Sequence, residues 1–459
     1  FSLNGGAIYT DAIDNSAGVG TSDREVNIKI LLELAIREGE LTVKQRDQIL
    51  ASMTDEVADL VLRDNYFQSQ VISLTGRIAT DLLAAQSRFM VFLEKEGRLQ
   101  RAIEFLPDEE TLRERRVAGL GLASPERAVL LAYAKIWLND ALVASTLPDD
   151  AWVATALERY FPRDLQERFG NWMLVHPLRR EIIATHVTNS ALNRVGATFV
   201  HRTCETTGAE PDEVIRAFLL TREVFGLVDI WADIEELDNQ VPDASQVELL
   251  LIVGKLVNRA TIWFLRSARL NDSIADTISE FAPQIASLEG LLHELLDSAD
   301  VEQQQADIER IAGEGVPTRL ARRVVSLEPL FAGLDIREVT STCDAPIQDV
   351  ARIYFGLARH LNLGWLREQI LSLPGNLHWQ MLARGAMMDD LAELQRTLTV
   401  QVLQQGEADT ALEDRMSQWE EHQQRPLERS GRLIAELRGG GAVDEAMLSV
   451  AIRELRHLG

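Results

Sequence analysis

The chain has 459 residues, which is enough for two or three domains or for one long helical array. Its formal net charge of −25 argues against nucleic acids and anionic membranes as partners, because a duplex or a lipid surface would repel such a chain. Hydrophobic residues make up 46% of the sequence, yet no apolar run approaches the roughly 18 residues of a membrane-spanning helix. These values predict a globular protein with ample material for a core.

The cysteines indicate the cellular compartment, and the first residues indicate whether the chain is part of a longer polypeptide. Cys204 and Cys343 lie far apart in sequence, which favours two reduced thiols in a reducing compartment such as the cytoplasm over a disulfide. Residue 1 is Phe, and neither an initiator Met nor a signal peptide precedes the first predicted element. We therefore expect the chain to be the C-terminal portion of a longer polypeptide.

The first predicted element leads into the stretch with the clearest chemical content, TDAIDNSAGVGTSDRE at residues 10–25. Ile8 to Ile13 reads as the last strand of a sheet, and small polar residues follow it. Ser22 then has the features of a helix N-cap, because Glu25 follows three residues later as in a capping box. A strand, a small-residue loop and a helix start in this order favour an anionic ligand at the loop, although most such loops are only turns.

Downstream, the pattern is helical throughout. A helix is predicted to continue from Val26 to Glu38 with Val26, Ile30, Leu31, Leu34 and Ala35 on its apolar face, and Gly39 ends it. Helices then begin near Thr42 and Thr54, and another crosses residues 70–97. From residue 108 onward the predicted helices are 108–117, 124–145, 149–160, 163–173, 177–207, 211–238, 243–269, 273–297, 301–312, 317–332, 346–361, 376–405, 409–438 and 442–457.

The pattern Asn15-Ser16-Ala17-Gly18-Val19-x-x-Ser22-x-x-Glu25 resembles the active-site loop of glutamate dehydrogenases, which usually reads Asn-Ala-Gly-Gly-Val-x-x-Ser-x-x-Glu. The longer wording resembles the large bacterial NAD-dependent class in particular. So do three later phrases, ERYFP at 158–162, the stretch at 176–202 and VFGLVDIWADIEELDNQV at 224–241. Gly20, Thr21 and Arg24 depart from the expected Asp, Cys and His, at positions that do not face the substrate.

This resemblance implies roles for four residues. Asn15 and Gly18 would lie at the cofactor, with Asn15 near the nicotinamide of NAD. Val19 would form an apolar wall against the substrate, and Ser22 would donate a hydrogen bond to the distal carboxylate of glutamate. No metal site is expected, since His176, His186 and His201 lack a metal-binding spacing.

The resemblance also implies a fold and an activity. The fold is expected to be mainly α, with residues 1–105 ending an α/β dinucleotide-binding, Rossmann-like catalytic domain. Residues 106–459 would form an all-α C-terminal domain, with 298–317 as a candidate internal boundary. The parent enzyme would oxidise L-glutamate to 2-oxoglutarate and ammonia with NAD. The helices would buttress it, mediate homo-oligomer contacts or bind a small-molecule effector.

Some expected parts of such an enzyme cannot be placed in the sequence. No Gly-x-Gly-x-x-Gly fingerprint occurs, and neither the catalytic lysine nor the catalytic aspartate can be assigned. We expect these parts upstream of Phe1. The alternative is a non-catalytic helical structural or regulatory module that is inactive by itself.

Overall fold

The computed structural model describes residues 1–373, 378–406 and 410–459. These residues fold into α-helices and short 3-10 helices and contain no β-strand, which confirms the mainly α class. The predicted helices 376–405 and 409–438 begin outside the described residues. The predicted strand from Ile8 to Ile13 is wrong, because residues 6–10 have no regular structure and a helix begins at Asp11. A strand needs a neighbouring strand for its hydrogen bonds, and the described residues offer none.

The first helices are α1 (Asp11–Asp14), α2 (Ser16–Arg37), α3 (Val43–Ser52), α4 (Thr54–Arg77), α5 (Ala79–Lys95), α6 (Glu109–Val117), α7 (Ser124–Ala144), α8 (Ala156–Tyr160), α9 (Arg163–Met173), α10 (Arg179–Val195), α11 (Phe199–Thr207), α12 (Pro211–Val224) and α13 (Leu227–Glu235). The later ones are α14 (Asp243–Arg266), α15 (Ile274–Glu289), α16 (Leu292–Leu295), α17 (Ser298–Gly313), α18 (Thr318–Val325), α19 (Leu327–Leu330), α20 (Ala332–Cys343), α21 (Ile347–His360), α22 (Leu363–Ser372), α23 (His378–Leu403), α24 (Leu412–His422), α25 (Gln424–Gly439) and α26 (Glu445–Leu455). Short 3-10 helices occupy Ser2–Asn4, Leu147–Asp149, Val153–Thr155, Ala268–Asn271 and Arg456–Leu458.

The chain divides into two compact units. Unit 1 comprises residues 1–220 and 260–275, and unit 2 comprises residues 221–259 and 276–459. In unit 1, helices α4, α7 and α10 pack against one another, and α2 lies on α4 and α9. In unit 2, α20, α21 and α23 form a similar mutually packed group, with α22, α24 and α26 against α23.

Most predicted helices correspond to observed ones, but the predicted helices 211–238, 273–297 and 317–332 are each divided in two. The predicted helix 177–207 is two helices, α10 and α11, separated at Gly196, whose φ of 80° and ψ of 173° fall in a region that is essentially restricted to glycine. Helices α20 and α22 were not predicted, because their short apolar patterns lie between stronger ones. None of the helices in the described ranges has both the length and the apolar character needed to cross a bilayer.

Candidate functional site

The four residues that the sequence assigns to substrate and cofactor lie together at the N-terminal end of α2. Asn15, Gly18, Val19 and Ser22 are all exposed, and their spacing of three and four residues places them on one face of the helix. Val19 is 66% exposed and Val26, two turns further on, is 53% exposed. Both apolar side chains therefore point outward from unit 1.

The opposite face of α2 holds the helix in unit 1. Ile28, Leu31, Leu32 and Ala35 are buried almost completely, and each of the larger three contributes about 1.5 to 3 kcal/mol to folding. The predicted apolar face was therefore rotated, since Val26 lies on the exposed side. Burial of the inward face fixes the rotation of α2 about its axis, and this rotation directs the other face outward.

Ser22 is not a helix N-cap, which corrects the sequence prediction. Helix α2 begins at Ser16, and Ser22 lies in its second turn with its hydroxyl donating to Val19 O at 2.9 Å. Thr21 makes the same kind of bond to Ala17 O at 2.8 Å. Both hydroxyls therefore bond back to the preceding turn instead of capping a new helix.

Contacts with α4 explain why the helix starts six residues early. Asn65 donates from Nδ2 to Ile13 O and to Ser16 Oγ, both at 2.8 Å, and Gln68 donates to Ser16 Oγ at 3.1 Å. Gly20 faces Val61 of α4, and a Cβ there would make an ordinary contact with Val61 Cγ1 at 3.4 Å. Because these partners are more than 40 residues away in sequence, the local pattern could not reveal them.

Asn15 and Gly18 form one small surface. A Cβ on Gly18 would lie 2.6 Å from Asn15 Oδ1, so the Asn15 side chain occupies the space that the glycine leaves free. Asn15 O accepts from Gly18 N at 3.1 Å, and Asn15 joins α1 to α2. The exposed amide of Asn15 therefore lies over the backbone at Gly18.

The inward side of α2 also carries a polar group that the sequence analysis missed. We call it the Tyr160 cluster; it comprises Asp23, Arg24, Asn27, Asp64, Tyr160 and His176. Arg24 is buried, donates to Tyr160 O, and pairs with Asp64 Oδ2 at 2.9 Å. Its guanidinium also lies 4.6 Å from the centre of the Tyr160 ring. Polar residues at positions 24 and 27, in register with apolar Ile28 and Leu31, were the available signal.

Tyr160 and Asn27 complete the cluster. The Tyr160 hydroxyl donates to Asp23 Oδ2 at 2.6 Å and accepts from Asn27 Nδ2 at 2.9 Å. Burial, followed by the bond to Asp23, raises the pKa of Tyr160 well above its usual value. The hydroxyl is therefore a neutral donor under physiological conditions.

His176 fixes the same helix from another direction. Its Nδ1 accepts from Leu178 N at 3.1 Å, so the ring proton lies on Nε2 and is donated to Asn27 O at 3.2 Å. Burial lowers the pKa of His176. The neutral imidazole thus links α2 to the turn before α10.

Lys135 of α7 has a strongly lowered pKa. Burial lowers its pKa to about 7, while the nearby carboxylate of Asp64 opposes the shift.

Among the described residues, no group of three or more His, Cys, Asp or Glu side chains could hold a metal ion. Cys204 and Cys343 are free and half-buried, and burial raises the pKa of the Cys204 thiol to about 12.

Comparison with known proteins defines the class. The family described as "Glutamate dehydrogenase, C-terminal" matches residues 119–457, and the one described as "Bacterial NAD-glutamate dehydrogenase, catalytic domain" matches residues 1–75. The first match covers most of the chain, so the chain belongs to the glutamate dehydrogenase C-terminal family. The resemblance read from the sequence is confirmed.

Three relatives, each named NAD-specific glutamate dehydrogenase, show the same relationship. The protein of Pseudomonas aeruginosa is 42% identical over 100% of this chain, that of Halomonas elongata 38% over 98%, and that of Mycobacterium tuberculosis 36% over 100%. The chain spans 28% of the length of each relative.

Proposed function

We propose that this chain is part of an NAD-dependent glutamate dehydrogenase, in which the outward face of α2 forms one wall of the substrate cleft. The enzyme would oxidise L-glutamate to 2-oxoglutarate and ammonia by hydride transfer to NAD. The supporting observation is that Asn15, Gly18, Val19 and Ser22 share one exposed helical face while the other face is buried. The match of residues 1–75 to a catalytic-domain family and the names of the relatives support the enzyme class in this proposal.

Within this cleft, each side chain has a role that its chemistry supports. Val19 would pack against the aliphatic part of glutamate. Ser22 would rotate its hydroxyl from Val19 O to the distal carboxylate, which exchanges a neutral hydrogen bond for a charge-assisted one. Asn15 would present the polar atoms of its amide to the edge of a nicotinamide, and Gly18 would leave room for that amide.

The rest of the chain would support this wall. In this proposal residues 1–105 end the α/β catalytic domain, and polypeptide outside this chain supplies the dinucleotide-binding sheet and the catalytic lysine and aspartate. Residues 106–459 would act as a cytoplasmic helical scaffold with oligomer contacts and a regulatory site. The isolated chain is then expected to be inactive.

The reaction is tested with the complete polypeptide that contains this chain. Absorbance at the NADH band is followed after L-glutamate is added with NAD, and in parallel with NADP. A rise with NAD alone is the expected result. A folded protein that gives no rise with either cofactor would contradict the proposed reaction and favour a non-catalytic helical module.

Ser22→Ala tests the wall itself. We expect the KM for L-glutamate in the complete protein to rise about tenfold, because a hydrogen bond to a charged group contributes roughly 1.5 kcal/mol or more. Steady-state kinetics measure this change.

Thr21→Ala is the matched control. Thr21 loses the same kind of bond to the preceding turn, but its side chain lies about 100° around the helix from Ser22. Its KM should stay unchanged. An unaltered KM in Ser22→Ala, or an equal rise in both variants, would remove Ser22 from the pocket.

A further inference from the structure

A small cavity lies inside unit 1, away from the outward face of α2. Its volume is about 20 Å³, enough for one or two water-sized groups. Helices α4, α5 and α7 line it together with the break between α10 and α11. Its polar side chains are Thr75, Gln86, Arg127 and Thr198, and apolar side chains from the same elements complete the wall.

Arg127 gives the cavity a positive charge. Its guanidinium donates to Ile72 O at 3.1 Å, to Leu122 O, and to Ser124 Oγ at 2.9 Å. These bonds use three of its five N–H groups, one each on Nε, Nη1 and Nη2. Among the described residues no carboxylate forms an ion pair with the half-buried Arg127, and the nearby Glu126 carboxylate pairs with Arg115 while acting on Arg127 from a longer distance.

Gln86 adds an unsatisfied amide. The residue is 4% exposed and lines the cavity, and its Oε1 has no hydrogen-bond partner among the described residues. A buried amide without partners costs about 1 to 3 kcal/mol. A half-turn of the side-chain amide exchanges oxygen and nitrogen, so Gln86 can present a donor to a ligand.

The third contribution comes from the N-terminus of α11. Thr198 precedes this nine-residue helix and makes no side-chain capping bond. The backbone of Gly196 turns the chain so that Thr198 lines the cavity, and a Cβ at Gly196 would lie 3.0 Å from Thr75 Cγ2. The N–H groups of a helix start favour negative charge, as Arg127 does.

We propose that this cavity binds a small monovalent anion of the size of chloride or formate. Arg127 supplies the counter-charge, the N-terminus of α11 adds its dipole, and Gln86 donates from its amide nitrogen. The small volume favours a compact anion over a longer carboxylate. A bound anion would tie the break between α10 and α11 to α5 and α7.

The test uses the full 459-residue chain at constant ionic strength, with a bulky sulfonate as the background anion. The midpoint of thermal unfolding is measured with added chloride, formate or propionate, and the chloride NMR line width reports binding directly. We expect chloride and formate to raise the midpoint and to compete with each other, because a ligand of the folded state stabilises it by mass action. Propionate should have no effect.

Gln86→Glu is the decisive variant, because it leaves the backbone contacts of Arg127 intact and places a fixed carboxylate in the cavity. We expect it to abolish the chloride and formate response. Gln86→Leu should weaken binding about tenfold through loss of the donor.

The matched control is Arg98→Gln, which removes an exposed arginine paired with Asp140 in the same unit and should leave the response unchanged. Failure of both anions to raise the midpoint and broaden the line in the parent chain would overturn the proposal. An undiminished response in Gln86→Glu, or a loss of response in Arg98→Gln, would do the same.

Discussion

One polar cluster in each unit buries a different sign of charge. In the Tyr160 cluster of unit 1 the cation is inside, since the Arg24 side chain is 6% exposed and its partner Asp64 is 37% exposed. In unit 2 the anion is inside, since the Asp335 side chain is 4% exposed and Arg396 is 29% exposed. We call the second group, Asp335, Tyr354, Arg367, Gln395 and Arg396, the Asp335 cluster.

The contacts inside each cluster follow from this difference. Asp335 accepts from the Tyr354 hydroxyl at 2.8 Å and from Arg396 at 2.7 Å, and Gln395 Nε2 donates to Tyr354 O at 2.8 Å. Arg24, by contrast, has a carbonyl and an aromatic ring in addition to its carboxylate. We expect the buried carboxylate of Asp335 to depend on Arg396 more than Arg24 depends on Asp64, because Asp64 is itself partly exposed to water.

The largest expected effect tests that asymmetry. Arg396→Gln should lower the free energy of unfolding by about 3 kcal/mol, because it removes a cation that pairs with the buried carboxylate of Asp335 at 2.7 Å. Asp64→Asn should lower it by about 1 kcal/mol or less, because Arg24 keeps Tyr160 and Asp64 is partly hydrated. Chemical denaturation measures both, and equal losses would show that the two clusters do not differ as their burial indicates.

Tyr160→Phe should have an intermediate effect and sharpen the picture of unit 1. The substitution removes the donor to Asp23 and the acceptor for Asn27, which should cost about 1 to 3 kcal/mol. Tyr133→Phe is the control, because it removes one hydroxyl that donates to Glu104 at 2.7 Å in a half-buried position. If the control lost as much stability as Tyr160→Phe, the Tyr160 hydroxyl would contribute no more to folding than an ordinary half-buried hydroxyl.

The smallest expected effect is a pH dependence from His176. Burial lowers the pKa of His176 in the folded state, so between that value and about 6.5 the unfolded chain binds more protons. Stability from this group is present above about pH 6.5 and is lost as the pH falls through the folded-state pKa. His201, whose pKa burial also lowers, acts in the same direction.

Unfolding free energies at a series of pH values measure this slope. His176→Gln should flatten it, because the glutamine side chain does not titrate. His457→Gln, at an exposed position, should leave it as it is in the parent chain. A slope that both variants leave intact would assign the acid sensitivity to other groups.

Two helix starts show how far the sequence could lead. Thr42 and Gln45 have the capping-box pattern and form one, with Thr42 Oγ1 accepting from Gln45 N at 3.3 Å. Ser22 and Glu25 have the same pattern and do not form one, because α2 has already begun at Ser16. A residue can cap a helix only if the residues before it are not already helical. Here Asn65 and Gln68 bind Ser16 at the start of α2, so the residues before Ser22 are helical.

The candidate site follows the same division. The four residues of the outward face were identified from one continuous stretch, and a helical spacing suffices to place them together. The Tyr160 cluster joins residues 23–27 to residues 64, 160 and 176, so only the fold brings it together. Helix periodicity predicts which residues share a face, but it does not predict which distant residues cover that face.

The Tyr160 cluster has a consequence for recombining this protein with its relatives. A chimaera joined between residues 75 and 119 would take Arg24 and Asn27 from one parent and Tyr160 and His176 from the other. The crossover would fall between two matched segments and still separate hydrogen-bonding partners within unit 1. Such hybrids should fold stably only when both parents carry compatible side chains at these four positions.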